Sequence, residues 1–276
     1  MDEKILRKIF RERNPESKKG DFGHLLVIGG SRKYTGAPAL VALAALKTGT
    51  DVVTIAAPKR AADMCASFSP NLITEQLRSD YLSKLDAGTL IELSKKATAV
   101  VIGPGLERKP DTQDVLTFFL KEINIPMVID ADAIPVLSIM KKELAGKKMI
   151  ITPHAGEFKE LTGSEAGKSL EEKMASVFRA AADFKAVIIL KGHVDVISDG
   201  VKTAVNKTGN PYMTKGGTGD VLAGIAGSLL AQGNDLFDSA LAAAYISGKA
   251  GDLAAENKKQ SLLATDVIDK IEDVLK

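Results

Sequence analysis

Short runs of apolar residues, each closed by a small or polar turn, recur along this chain and alternate with stretches at helical spacing. The runs are 24–30 (His-Leu-Leu-Val-Ile-Gly-Gly), 51–57, 99–103, 126–130, 149–153 and 186–191. A strand that is apolar at nearly every position, rather than every second one, is covered on both faces. Strands of that kind alternating with helices pair in parallel, because each parallel pairing needs a long crossover. The expected fold class is therefore α/β, a mostly parallel central sheet flanked by helices on both faces in three layers. Residues 195–198 and 202–205 flank Asp199-Gly200, which predicts a hairpin. Ile5, Leu6, Ile9 and Phe10 predict an amphipathic N-terminal helix, and residues 37–47 a helix of small side chains. From Gly217 onward the chain reads as mostly helical.

No low-complexity linker interrupts the 276 residues, so one domain over residues 1–276 is expected. Hydrophobic residues at 45% supply a substantial core, and the net charge of +2 gives no reason to expect nucleic acid or an anionic membrane as partner. Cys65 is the only cysteine. That excludes an intramolecular disulfide and a cysteine-based zinc site, and it points to a reducing, cytoplasmic setting. Residues 1–13 hold no apolar run of the signal-peptide kind, and no stretch approaches the ~20 apolar residues of a membrane-spanning helix.

Crossover sheets bind ligands at the carboxyl ends of their strands. Unusual turns follow the predicted strands: Gly29-Gly30-Ser31, Gly103-Pro104-Gly105, Asp130-Ala131-Asp132, Thr152-Pro153-His154 and Lys191-Gly192. Together they locate a site on one sheet edge. Its chemistry is densest in Lys215-Gly216-Gly217-Thr218-Gly219-Asp220, where an apolar helix begins at once. Glycines allow a ligand close to the backbone, and the first amides of a helix can bind an anion. A carboxylate in that turn repels a static phosphate but can accept a proton from a hydroxyl attacking one. A plain turn with a capping aspartate explains these six residues equally well. The segment is not a Walker A loop, since no Lys-Ser or Lys-Thr follows its last glycine. Three histidines scattered among strands form no transition-metal cluster.

The run 209–224, Gly-Asn-Pro-Tyr-Met-Thr-Lys-Gly-Gly-Thr-Gly-Asp-Val-Leu-Ala-Gly, resembles the signature of the ADP/ATP-dependent NAD(P)H-hydrate dehydratases. Other pieces agree in order: Lys19-Gly20-Asp21-Phe22-Gly23, Gly29-Gly30-Ser31, Thr35-Gly36-Ala37-Pro38, Ile102-Gly103-Pro104-Gly105-Leu106, Asp130-Ala131-Asp132-Ala133, Thr152-Pro153-His154-Ala155-Gly156-Glu157 and Leu190-Lys191-Gly192. The resemblance covers nearly the whole chain. It implies a ribokinase-like fold and a repair reaction, in which phosphorylation by ADP or ATP turns the hydroxyl of S-NADHX or S-NADPHX into a leaving group. Mg²⁺ is expected, held largely by phosphates and carboxylates; its ligands are not identified. By the same resemblance Asp220 contacts the hydrated nicotinamide and is the base, and Ala37, Gly105 and His154 contact the substrate. Lys191, Gly192, His193, Val194 and Asp195 line the nucleotide phosphates and adenosine, and Gly219 contacts the AMP portion. The family often carries an N-terminal epimerase domain and forms oligomers. A chain of this length is expected to be the stand-alone dehydratase, in a homo-oligomer such as a tetramer.

Asp195 stands where the family commonly has Thr or another residue. Most of the other positions also have plainer readings. Ala37 packs a helix, Gly105 makes a rigid turn, and His154 is a structural hydrogen-bonder. Lys191 is a solvated strand-end lysine. Glu157 either organises magnesium or phosphate or favours a helix dipole from its first turn. Asn206 and Asn210 form turns, and His24 is structural within its strand. Ala223, Gly224 and Gly227 keep their helix slender, either against the sheet or at a subunit contact. Two other functions share the motif: a hydroxyethylthiazole or hydroxymethylpyrimidine kinase of the ribokinase-like superfamily, and a non-catalytic nucleotide-binding module. The Thr-Pro-His-Ala-Gly-Glu and Thr-Gly-Ala-Pro pieces favour the dehydratase. Asp220 argues against a binding-only module, in which a neutral residue suits a phosphate better.

Overall fold

The computed structural model describes residues 4–10 and 12–276. Helix α1 (Lys4–Ile9) buries Ile5 and Ile9, as their spacing predicts. Alternating strands and helices follow: β1 (His24–Ile28), α2 (Ala37–Lys47), β2 (Val52–Pro58), α3 (Lys59–Phe68), β3 (Ile73–Leu77), α4 (Ala87–Ser94), β4 (Ala99–Ile102), α5 (Pro110–Glu122), β5 (Met127–Ile129), α6 (Ile134–Ile139), β6 (Met149–Ile151), α7 (Ala155–Thr162), α8 (Leu170–Phe184) and β7 (Val187–Leu190). The hairpin β8 (Asp195–Ser198) and β9 (Thr203–Asn206) precedes three helices, α9 (Thr218–Ala231), α10 (Leu236–Lys258) and α11 (Ala264–Leu275).

The nine strands form one sheet in the order β3-β2-β1-β4-β5-β6-β7-β8-β9. Every pairing from β3 across to β7 is parallel, and β8 runs antiparallel to both its neighbours. Strand periodicity splits the core into two layers. Leu25, Val27, Ile55 and Val101 face the side carrying α2, α9 and α10, while Leu26, Ile28, Val100 and Ile102 face the side carrying α5 and α8. Helices on both faces make the central strands apolar at nearly every position, which is why those strands were readable as continuous runs. Among the described residues no helix is long and apolar enough to cross a membrane.

The expected strand 24–30 ends at Ile28, because Gly29 and Gly30 turn out of the sheet. Strand β3 has no counterpart among the predicted runs. It lies at the sheet edge, and of Ile-Thr-Glu-Gln-Leu only Leu77 is buried. An edge strand needs no second apolar face.

The chain leaves β1 towards β2 and β3 on one side, then returns to build β4 to β9 on the other. That reversal opens a crevice beyond the carboxyl ends of β1 and β4. Gly103 there has φ +124°, and a Cβ on it would overlap the carbonyl oxygen of Asp130. The slender face of α9 packs inward. A Cβ at Gly224 would overlap Val41 O on α2, and one at Gly227 would overlap Val101 on β4. Close packing within the chain therefore accounts for both glycines.

Candidate active site

Three adjacent strands end in polar residues that meet. Asp130 follows β5, Thr152 follows β6 and Lys191 follows β7; the Lys191 amide donates to Pro153 O at 2.9 Å, holding the last two together. Asp130 is 2% exposed. Its Oδ1 accepts from Thr152 Oγ1 at 2.7 Å and from Lys191 Nζ at 2.9 Å. Glu157 Oε2 lies 3.7 Å from the same ammonium. Burial alone would lower the Lys191 pKa, but Asp130 and Glu157 outweigh it and hold the ammonium above the usual lysine range.

Asp220 approaches this group from the first turn of α9. Gly217 caps that helix at φ +99° without a side-chain cap bond. A Cβ there would come within 2.7 Å of Leu40 on α2. Thr218 Oγ1 donates to Met213 O at 2.9 Å and Lys215 O at 3.0 Å, which fixes the glycine turn. Asp220 is half-buried and, among the described residues, its carboxylate accepts no hydrogen bond. Its pKa is pushed up to about 7, first by loss of solvent and then by the negative charge of Asp130, with Lys191 opposing both. A carboxyl that titrates near neutrality is suited to take and return a proton. The Lys191 ammonium lies beside Gly219, 3.4 Å from where a Cβ would sit.

A cleft of about 840 Å³ opens beside Lys191. It brings together six of the residues predicted from sequence: His154, Lys191, Gly192, His193, Asp195 and Gly219. Val194 does not line it, nor do Ala37, Gly105 and Asp220. Ala37 and Gly105 lie together elsewhere: a Cβ on Gly105, at φ +69°, would be 3.3 Å from that of Ala37. They connect to Asp220 through α2, which starts at Ala37 and carries Leu40 one turn on, against Gly217. The glycine turn before Asp220 therefore touches both regions, with Gly219 lining the cleft and Gly217 against the helix that starts at Ala37.

The plainer readings hold for several residues at the same time. His154 caps α7, with Nδ1 accepting from the amides of Gly156 at 3.0 Å and Glu157 at 3.2 Å. That places the ring proton of neutral His154 on Nε2. Glu157 completes the capping box by accepting from His154 N at 2.8 Å, while it also faces Lys191. Asp195 braces its own loop: Oδ1 accepts from Gly192 N and Oδ2 from Asn206 Nδ2, each at 3.0 Å. Burial raises the Asp195 pKa. Asn206 is fully buried and also donates to Ala244 O on α10 at 3.0 Å. Asn210 caps the turn Pro211–Met213. His24 Nε2 bonds Thr54 Oγ1 at 2.9 Å within the sheet.

Sequence reasoning passed over Asp130 as a site residue, although its turn was noticed. It also passed over Thr208, Met213, Ser247 and Gly248, which line the cleft. Ser247 and Gly248 lie within the long α10, where nothing local distinguishes a cleft wall from helix packing.

The family model described as NAD(P)H-hydrate dehydratase matches residues 25–273. The chain belongs to this family. It is similar to a protein of Pyrobaculum aerophilum named bifunctional NAD(P)H-hydrate repair enzyme Nnr, with 44% identity over 96% of this chain and 52% of that one. The chain thus spans about half the length of that relative. It is similar over its whole length to a Cenarchaeum symbiosum protein named ADP-dependent (S)-NAD(P)H-hydrate dehydratase, with 38% identity over 96% of the relative. Among solved structures, an ADP/ATP-dependent NAD(P)H-hydrate dehydratase of Bacillus subtilis, co-crystallised with ATP and Mg²⁺, superposes with TM-score 0.85 at 27% identity, covering 99% of this family member and 96% of that chain. The fold of this dehydratase-family chain is accordingly ribokinase-like α/β.

Proposed function

We propose that this protein, acting as one domain over residues 1–276, uses ADP or ATP to return S-NADHX and S-NADPHX to NADH and NADPH. The observation that carries this reading is Asp220, a half-buried carboxyl titrating near 7 beside the Asp130–Lys191 pair. Hydroxide is a poor leaving group, so the hydrate does not simply lose water. Asp220 takes the proton of the hydrate hydroxyl as its oxygen bonds to the terminal phosphorus and the bond to AMP or ADP breaks. Lys191 stabilises the charge on the transferred group. The lone pair of the ring nitrogen then expels phosphate, and loss of a proton from the neighbouring carbon restores the dihydropyridine. Lys191, Gly192, His193, Asp195 and Gly219 take the nucleotide, Val194 contributes backbone to that loop, and His154 contacts the substrate from the cleft rim. Ala37 and Gly105 form the small-residue wall on the substrate side.

Magnesium suits this donor set as an ion held mainly by phosphates. Among the described residues no three His, Cys, Asp or Glu side chains converge on one point. Mg²⁺ needs only one or two carboxylates when phosphates and waters complete its shell, and Asp130 and Glu157 would hold it. Bound there, it adds positive charge where the phosphate oxygens crowd. We take it to act in the cytoplasm as a homo-oligomer, a reading supported by the single cysteine and by the family resemblance.

Purified protein with Mg²⁺ and either nucleotide is expected to restore the absorbance of NADH from S-NADHX. A folded sample that uses neither nucleotide for this, yet phosphorylates a thiazole or pyrimidine alcohol, would reverse the assignment.

A further inference from the structure

The turn after β1 carries an aromatic ring that the reaction described above does not use. Residues 31–35 are pinned from three sides. Ser31 N donates to Tyr34 O and Tyr34 N to Ser31 Oγ, both at 3.2 Å. Arg32 is tied to Asp80 twice, by its amide to the carbonyl oxygen at 2.8 Å and by Nη1 to Oδ2 at 2.8 Å. The Cys65 thiol donates to Thr35 O at 3.3 Å. Despite this fixed backbone, Tyr34 remains 45% exposed. Exposed lysine Lys33 lies over it, with Nζ 4.9 Å from the ring centroid.

The position of this turn gives the ring a use. A Cβ on Gly105 would meet the Cβ of Tyr34 at 2.8 Å and that of Ala37 at 3.3 Å, so Tyr34 forms the third side of the Ala37–Gly105 corner. Leu40, one turn along α2 from Ala37, packs where α9 begins at Gly217, three residues before Asp220. The proposed nucleotide cleft is lined by Gly219, the neighbour of Asp220, and does not include Tyr34. A substrate whose reacting hydroxyl reaches Asp220 from the Ala37 side passes an aromatic ring carried on a pinned turn, with an ammonium next to it. An uncharged ring on a ribose suits the face, and the phosphate that follows suits the ammonium. A contact fixed before binding loses little entropy on binding.

We propose that Tyr34 and Lys33 form a recognition element for the dinucleotide substrate, with the Tyr34 ring packed on the hydrated nicotinamide riboside and Lys33 against the adjoining phosphate. This rests on the proposed dehydratase reaction. The test is steady-state kinetics and equilibrium binding of S-NADHX for the wild type and for Tyr34→Ala, Tyr34→Phe and Lys33→Ala. Tyr34→Ala is expected to raise KM for S-NADHX about tenfold, the size of one aromatic contact, with KM for the nucleotide unmoved. Tyr34→Phe, which keeps the ring, recovers most of that loss. Lys33→Ala gives a smaller rise and flattens the dependence of KM on salt. An unchanged KM for S-NADHX in Tyr34→Ala overturns the inference. So does a loss shared equally by both substrates and not recovered by Phe, which is the mark of a structural role. Binding separates the two claims. A wild type that binds S-NADHX without turnover ends the dehydratase reading, and the variants' binding constants still decide the Tyr34 contact. A wild type that does not bind S-NADHX overturns both.

Discussion

Asp130 follows β5 and Asp220 stands in the first turn of α9, and their environments set them to different tasks. Asp130 is paired with Lys191 and Thr152, whereas Asp220 has no hydrogen-bond partner among the described residues and lies in the field of Asp130. Asp220→Asn is expected to retain nucleotide binding and lose at least about a hundredfold in kcat, the usual range for a lost general base. In the wild type, kcat should rise with pH through about 7 as Asp220 loses its proton. The same shift carries a stability consequence. The folded pKa is raised from 3.8 to about 7, so between those values the folded protein holds a proton that the unfolded chain has released. Stability therefore falls as pH rises across that window, and above it the destabilisation is complete. Thermal unfolding should find Asp220→Asn more stable than wild type at pH 8, by about 1–3 kcal/mol, with the gap closed below pH 4. Equal stability of the two proteins at pH 8 would remove the burial argument. The aspartate itself was legible in the sequence, since a carboxylate directly after a glycine turn is chemically unusual. Its coupling to Asp130 was not, because 90 residues separate them.

The elements that hold the site are readable where packing imposes a pattern. Strands β1, β2 and β4 are buried on both faces, and their sequences are apolar at nearly every position. Strand β3 at the edge lacks that pressure and left no apolar run. Helix α9 shows the same rule from the other side. Gly224 and Gly227 face α2 and the sheet so closely that no methyl group fits. Gly224→Ala should push α9 from α2 and destabilise the protein by about 2 kcal/mol or more, seen as a lower Tm. Because Asp220 lies one turn before Gly224 on α9, kcat should fall with it. A fully stable, fully active Gly224→Ala protein would show that the close approach is not needed. Sequence alone allowed a subunit contact at these glycines, since a small-residue face reads the same against either partner.

At the scale of the whole molecule, the sheet sets a cleft and a small-residue corner near the start of α9. The cleft runs along the β7–β8 connection and α10, and the Tyr34–Ala37–Gly105 corner is no part of its lining. The strand-end turns were each visible in the sequence as a broken apolar run. Which of them face one another depends on strand order, and no local pattern encodes that order. The segment 191–195, proposed to take the nucleotide, stood out in the sequence as one piece, but the bracing of Asp195 by Asn206 and α10 required the fold. The central claim is that a phosphoryl transfer drives the dehydration. It is tested most directly by measuring NADH formed and nucleotide consumed in one reaction containing S-NADHX, Mg²⁺ and ADP or ATP. The account predicts one AMP per NADH from ADP, or one ADP per NADH from ATP. NADH formed without nucleotide consumption, or nucleotide consumed without NADH, would contradict it.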